Sequence, residues 1–458
     1  MALPTDNPSP LLALLQRHGP SSAQQLASAL GVSQPTVSRM LDSEGDRAIR
    51  IGRARRTRYA AVRNVRGLGT HWPLFRIDAR GRPQAFGEMR ALYGAGVQVS
   101  IDSTPDWFRD EFVDGVFPGV PWFLDDQRPQ GFLGRLFAQR WARELGLHAD
   151  VLMWDDDAVL TALLLQGGDE QGNFVLGEGA LERALTGSHD EVSVSDRDTR
   201  YTVLAEKVLA GESVGSSAAG EQPKFTAMVR DADGSPRHVI VKFSESVGSS
   251  PAARRWADLL ICEHLADELL AEHGDHSAKT NLVWSQDRLC LEVSRFDRLG
   301  AYGRRGCVTL AAWSDAHDGE RDDWPRATER MRRAGWVQLE DVERVRRRWW
   351  FGRMIGNTDM HFGNLSFFLD DSLPMSLTPS YDMLPMLYRP ASNGAIVARD
   401  YAPPVPMPAD MAVWQEVAGW SESYWRTVSN HAELSREMRD IARKNRILMS
   451  QARQRFSS

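Results

Sequence analysis

The chain has 458 residues, 42% of them hydrophobic and 25% charged, and carries a net charge of −6, enough for two or three domains with a substantial core. No run approaches the roughly 18 apolar residues of a membrane span, and Met-Ala-Leu-Pro-Thr-Asp at the N-terminus lacks the charged-then-apolar pattern of a secretion signal. Cys262, Cys290 and Cys307 are scattered without metal-ligand spacing, so the expectation is a globular protein of the reducing cytoplasm with no membrane contact.

Residues 1–66 carry ten arginines against four acids, a net of +6 that leaves −12 for the remainder. A short amphipathic helix is predicted over Leu11 to His18, closed by Gly19-Pro20. A second spans Ser22 to Leu30, with Ser21 or Ser22 as N-cap and Gly31 as C-cap, and a third runs from Ser33 through Leu41. Helix, glycine turn, then a helix bearing Gln34, Thr36, Ser38 and Arg39 is a helix-turn-helix pattern. Ile49 to Ile51 and Thr57 to Tyr59 flank a basic tip with Arg53, Arg55 and Arg56, which reads as a two-stranded wing. Polar recognition-helix residues and wing arginines fall where base and phosphate contacts to DNA are made. This part resembles winged-helix transcription regulators.

From 67 to 200 the pattern is less informative. A hairpin is predicted around Arg80-Gly81-Arg82-Pro83, a strand over Val97 to Ile101, and helices over Phe132 to Leu145 and Asp155 to Leu165. Trp107, Phe108, Phe112, Phe117, Trp122 and Phe123 form an aromatic cluster expected to serve packing.

A small-residue loop, Gly215 to Pro223, then leads into a strand from Phe225 to Val229. A turn at Asp233-Gly234 joins it to a second strand, His238 to Phe243. Gly220 and its small neighbours let backbone N–H groups approach a phosphate, and Lys224 adds charge beside them. Arginine outnumbers lysine 50 to 5 in this chain, so a lysine suggests a need for a compact point charge. Lys242, in an apolar strand, fits a nucleotide phosphate. The helix from Arg254 to His273 offers Asp258 or Glu263 as its partner, and sequence leaves that choice open. Leu289 to Arg298 reads as a strand ending in a hinge between a sheet-rich lobe and a helical remainder, where further helices are predicted at Glu340 to Ile355, Ala409 to Ala418, Ser421 to His431 and Glu433 to Arg453.

Between the first two of these lies Asn357-Thr-Asp-Met-His-Phe-Gly-Asn364, followed by a strand from Leu365 to Leu369, a turn at Asp370 to Ser372, and Ser380-Tyr-Asp382. Asp359 and Asn364 are five apart and Asp382 comes eighteen later. Phosphoryl transfer uses such a set: one Asp orients the attacking hydroxyl, while an Asn and an Asp hold magnesium on ATP.

Ser217 to Lys224, Lys242, Arg295-Phe-Asp-Arg298, Asn357-x-Asp-x-His-x-x-Asn364 and Tyr381-Asp382, in this order, resemble the HipA family of bacterial serine/threonine kinases, toxins of toxin–antitoxin systems. The fused N-terminal helix-turn-helix is similar to the YjjJ-like branch. The resemblance implies an α+β chain: a winged helix-turn-helix over 1–66, a mixed N-terminal lobe over 67–298 and a mainly helical C-terminal lobe over 299–458. It implies ATP and Mg2+ as cofactors and a protein substrate; typical members leave DNA binding to a separate antitoxin, and DNA bound through residues 1–66 is the expectation from the N-terminal helices and the basic wing of this chain. By position, Asp359 is the base, and Asn364 and Asp382 are metal ligands. Gly220, Lys224, Lys242, Phe296 and His361 belong to the ATP site, with Phe296 at the adenine hinge, and Ser217 is the autophosphorylated serine. The family's usual Glu before Arg-Phe-Asp-Arg is Ser294 here. Two other readings compete: a DNA-binding regulator whose kinase-like body senses nucleotide without turnover, and a small-molecule kinase, whose loops share Asp-x-His-x-x-Asn.

Overall fold

The computed structural model describes residues 8–187, 190–211 and 222–456, the side chains of Arg55 and Glu111 excepted. Its first three helices, α1 (Pro10–His18), α2 (Ala23–Leu30) and α3 (Gln34–Glu44), begin where the sequence supplies caps. Ser22 and Gln25 form a reciprocal capping box, and Ser33 accepts from the Thr36 N–H. Gly31, at φ 66°, provides the left-handed residue that ends α2. β1 (Ala48–Ile51) and β2 (Arg58–Ala61) pair antiparallel as the wing, over a core that includes Leu11, Leu15, Leu26 and Val37.

This unit is packed firmly onto the next. Ile51 and Ala60 of the wing share a cluster with Leu92, and Arg63 forks onto both carboxylate oxygens of Asp157. The second unit contains β3 (His71–Ile77), β4 (Pro83–Ala91), β5 (Val97–Ile101), β6 (Val116–Phe117), α4 (Trp122–Asp125), α5 (Gly131–Trp141), α6 (Asp156–Gln166), β7 (Phe174–Leu176) and α7 (Glu178–Thr186). Its strands form an antiparallel sheet in the order β6-β5-β4-β3-β7. The aromatic cluster fills the core beside this sheet, and Trp122 reaches Trp336 of the C-terminal half, ring centroids 5.9 Å apart.

The third unit has β8 (Glu191–Ser193), α8 (Arg197–Gly211), β9 (Lys224–Arg230), β10 (Pro236–Phe243), α9 (Pro251–Glu272), β11 (Thr280–Ser285) and β12 (Arg288–Ser294). The sheet order is β11-β12-β10-β9-β8, with β8 parallel to β9. A small hairpin, β13 (Arg298–Leu299) and β14 (Gly303–Arg304), leads into the mainly helical lobe. That lobe consists of β15 (Cys307–Thr309), α10 (Leu310–His317), α11 (Trp324–Arg333), α12 (Leu339–Ile355), β16 (Ser366–Phe368), β17 (Ser376–Leu377), α13 (Met411–Asn430) and α14 (Arg436–Arg455). The chain is thus an α+β protein, a winged helix-turn-helix followed by two sheet-containing units and a mainly helical lobe.

The two helices predicted over Ala409 to Ala418 and Ser421 to His431 are one, α13. Gly419 lies inside it, and the Arg453 guanidinium of α14 packs over that position, so a contact overrides the local break. Among the described residues no helix is long and apolar enough to cross a membrane.

Candidate active site

The antiparallel register sets Lys224 of β9 directly opposite Lys242 of β10, so both side chains leave the same face of the sheet. Two ammonium groups side by side repel, and the surroundings are built to offset this. The buried Lys242 Nζ donates to Glu263 Oε1 of α9 at 2.5 Å and also to Asp382. Asp258, the other candidate, lies about 140° around the helix from Glu263. It accepts instead from Arg254 and from the Ser435 backbone and hydroxyl.

Burial would favour a neutral Lys242, but Asp382 and Glu263 more than offset this and raise its pKa. Burial pushes the Glu263 carboxyl up, against the pull of Lys242. At Asp382 burial also pushes upward, yet Lys242 and Lys224 prevail and hold the carboxyl at about 2. The site therefore keeps a charged lysine against a charged aspartate.

α12 ends on Gly356, at φ 79°, which turns the chain sharply into the acid-bearing loop. Asn357 accepts the Asp359 N–H through Oδ1 at 3.0 Å and donates through Nδ2 to the Asp382 carbonyl at 3.2 Å. Asn364 Nδ2 donates back to the Asp359 carbonyl at 2.8 Å. His361 Nδ1 accepts from the Gly363 N–H at 3.0 Å, and Tyr381 Oη donates to the Gly363 carbonyl at 2.9 Å. Asp382 follows at φ 56°, a left-handed conformation rare for a side-chain-bearing residue and characteristic of functional sites.

Two adjoining cavities meet at these residues. The first, about 560 Å3, is bordered by Ile240, Val293 and Phe296. The second, about 1110 Å3, is bordered by Asp359, His361, Glu263 and Gln222. Lys224, Lys242, Asn364 and Asp382 border both. An apolar slot thus joins a polar, open cleft through two cations and two hard-oxygen donors. Seven of the residues singled out from sequence converge here: Asp359, Asn364, Asp382, Lys224, Lys242, Phe296 and His361. Gly220 and Ser217 lie outside the described residues.

Three further residues contribute to the site. Asn357 joins the two acids, as above. Gln222 places a buried amide oxygen without a partner beside the cleft. Asp126, from the end of α4, accepts from the Thr309 N–H and hydroxyl, both at 2.6 Å, and borders both cavities; burial pushes its carboxyl up to about 6 against these hydrogen bonds.

The donor set fits magnesium. Asn364 spends its amide nitrogen on the loop, which leaves its oxygen, the hard donor magnesium takes. The Asp382 carboxylate is ionised beside it. One amide and one carboxylate match the sparse protein ligation of Mg2+ on a polyphosphate.

In the N-terminal unit, Gln34, Ser38 and Arg39 of α3 are exposed, as are Arg53 and Arg56 at the wing turn. The Thr36 hydroxyl is engaged with Ser33 Oγ at 2.9 Å, so it serves the helix start. The side chain of Arg55 is outside the described atoms.

A family model described as the HipA-like C-terminal domain matches residues 216–452, one for the YjjJ-like toxin middle domain matches 68–185, and one for the MarR family matches 10–43. The chain is 39% identical to Toxin YjjJ of Escherichia coli (strain K12) over 430 residues, which is 93% of this chain and 94% of that protein. Among solved structures it is similar to a chain of the Shewanella oneidensis MR-1 toxin–antitoxin complex of HipA, HipB and operator DNA. That likeness has a TM-score of 0.53 at 15% identity and covers 84% of this chain and 97% of the other.

Proposed function

Because the chain belongs to the HipA-like family, in its YjjJ-like toxin branch, we propose that it is an ATP- and magnesium-dependent serine/threonine protein kinase fused to a DNA-binding module. The observation that carries this reading is the meeting of Lys242, Glu263, Asp382, Asn364 and Asp359 where an apolar slot opens into a polar cleft.

The slot takes the base, with Phe296 at the hinge, and Lys242 and Lys224 neutralise the phosphates. Asn364 and Asp382 would hold magnesium, which when bound neutralises charge developing on the transferred phosphoryl group. Asp359 faces the open cleft, orients the acceptor hydroxyl and takes its proton as the new O–P bond forms and the bond from the γ-phosphorus to the β-phosphate oxygen breaks, releasing ADP. The amide–backbone bonds among Asn357, Asp359, Asn364 and Asp382 hold these groups at fixed separations, which is what positioning catalysis requires. Autophosphorylation at Ser217 would place roughly −1.5 to −2 of charge seven residues before Lys224 in sequence and oppose ATP binding.

DNA binding through residues 1–66 is supported by the excess of arginine there, the exposed α3 face and the exposed Arg53 and Arg56 at the wing turn. The decisive experiment is a phosphoproteome comparison of cells expressing the wild type and Asp359→Asn. The kinase reading expects phosphoserine or phosphothreonine sites present only with the wild type; identical phosphoproteomes would refute it.

A further inference from the structure

The unit preceding the kinase lobes borders the nucleotide slot directly. Leu133 and Phe137 of α5 and Leu163 of α6 border the slot together with Ile240 and Val293. Lys242 and Asp382, which border both cavities, mark the phosphate end; Leu133 also borders both, whereas Phe137 and Leu163 border the slot alone and so lie toward the base end. An apolar wall of this kind takes a flat heterocycle.

The loop after α6 is held by charge. Asp169 accepts from Arg295 Nη1 at 2.9 Å and from Arg298 Nη2 at 3.0 Å. Arg298 also donates to the Glu170 carbonyl at 2.6 Å, and the Gly172 N–H donates to Asp297 at 3.0 Å. Arg304, buried, donates to the Gly168 carbonyl. Arg295 borders the slot beside Phe296, and the charges of Arg295 and Arg298 act on the buried Arg304, so three guanidiniums crowd one another at the hinge. Asp297 alone cannot balance them. The Asp169 carboxylate crosses from the loop to the hinge and ties the position of α6 to that of Phe296, while the charge of Glu170, in the same loop, acts on Arg304.

We infer that the middle domain, residues 68–185, is the base-end wall of the nucleotide site, with Asp169 as the positioning residue that sets this wall against the hinge. This rests on the nucleotide reading above. Removing the Asp169 charge leaves buried guanidiniums under-compensated. The hinge and α6 then separate, the slot widens, and the base loses contact on one side. The phosphate end, anchored by Glu263 and the loop around Asn357, is untouched.

Calorimetry on the full chain separates the two ends, using Mg-ATP and, as a probe lacking the base, Mg-tripolyphosphate. Asp169→Asn and Phe137→Ala should each lower Mg-ATP affinity on the order of tenfold or more while binding tripolyphosphate like the wild type. Asp169→Glu should recover part of the loss. Phe137→Ala alters no charge and decides the matter if Asp169→Asn folds poorly. Wild-type Mg-ATP affinity in Phe137→Ala and Asp169→Asn would overturn the inference and leave the kinase reading standing, as would equal loss of both ligands in Phe137→Ala. A wild-type chain that binds neither ligand would instead overturn the nucleotide reading itself.

Discussion

Asn357 and Asp382, 25 residues apart, are joined by a hydrogen bond from the Asn357 amide to the Asp382 carbonyl at 3.2 Å, while the same side chain takes the Asp359 N–H. One buried amide thereby sets the spacing of the two acids. Asn357→Ala should lower phosphoryl transfer by at least about tenfold and destabilise the fold by about 1–3 kcal/mol, since it leaves a partly buried carbonyl and N–H without that partner. Single-turnover kinetics and denaturant unfolding measure the two effects, and wild-type turnover would show that the spacing is set elsewhere.

Asp359 and Asp382 should separate by kinetic phenotype. Asp359→Asn is expected to reduce transfer by about 10²–10⁴-fold with Mg-ATP affinity nearly intact. Asp382→Asn should instead weaken magnesium-dependent nucleotide binding, because it removes a metal ligand and the counter-charge of Lys242. Unchanged Mg-ATP affinity in Asp382→Asn would remove it from the metal site.

The hinge carboxylate gives a pH signature. Burial acts to raise the Asp297 pKa, but Arg295 and Arg298 outweigh it and hold the group at about 2, against an ordinary 3.8. A depressed pKa stabilises the fold above the ordinary value and loses that contribution as pH falls toward the folded value, here about 2 kcal/mol in all. The stability gap between the wild type and Asp297→Asn should therefore hold from neutrality to about pH 4 and narrow below it. A gap that stays constant down to about pH 3 contradicts the assignment.

DNA binding by the full chain should fall steeply with salt between roughly 50 and 200 mM, as arginines displace counterions. Arg53→Ala and Arg56→Ala are expected to weaken all sequences alike and flatten the salt slope, whereas Gln34→Ala or Arg39→Ala should change sequence preference. Salt-insensitive binding, or none, would make this unit a protein adaptor.

Incubation with Mg-ATP should place phosphate on Ser217, which phosphopeptide mass spectrometry detects, with Asp359→Asn as the blank and Ser216 as a neighbouring acceptor to be distinguished. The modified chain should bind ATP poorly, through repulsion between like charges. An unmodified loop in a chain shown to bind nucleotide would rule out this self-inhibition.

What the sequence by itself determined is local. Ser22, Gln25, Gly31 and Ser33 specify where α2 and α3 start and stop, because caps act within one turn of helix. The wing hairpin and the two lysine-bearing strands follow from alternation and turns over a few residues. Asp359, Asn364 and Asp382 are legible together because one loop and the short hairpin after it, β16 and β17, carry all three. Only the tertiary structure decided which acid meets Lys242. Asp258 and Glu263 are equally good candidates on one helix, and the face that packs on β10 selects Glu263. The same holds for Asn357 reaching Asp382, for Asp126 capping α10 through Thr309, and for Gly419 staying helical beneath Arg453. Most of all it holds for the middle domain, where the sequence offered only packing residues and the fold brings Leu133, Phe137 and Asp169 to the nucleotide slot. Periodicity tells which face of an element is buried; it carries no information on which distant element buries it, since that is settled by the mutual fit of many faces at once.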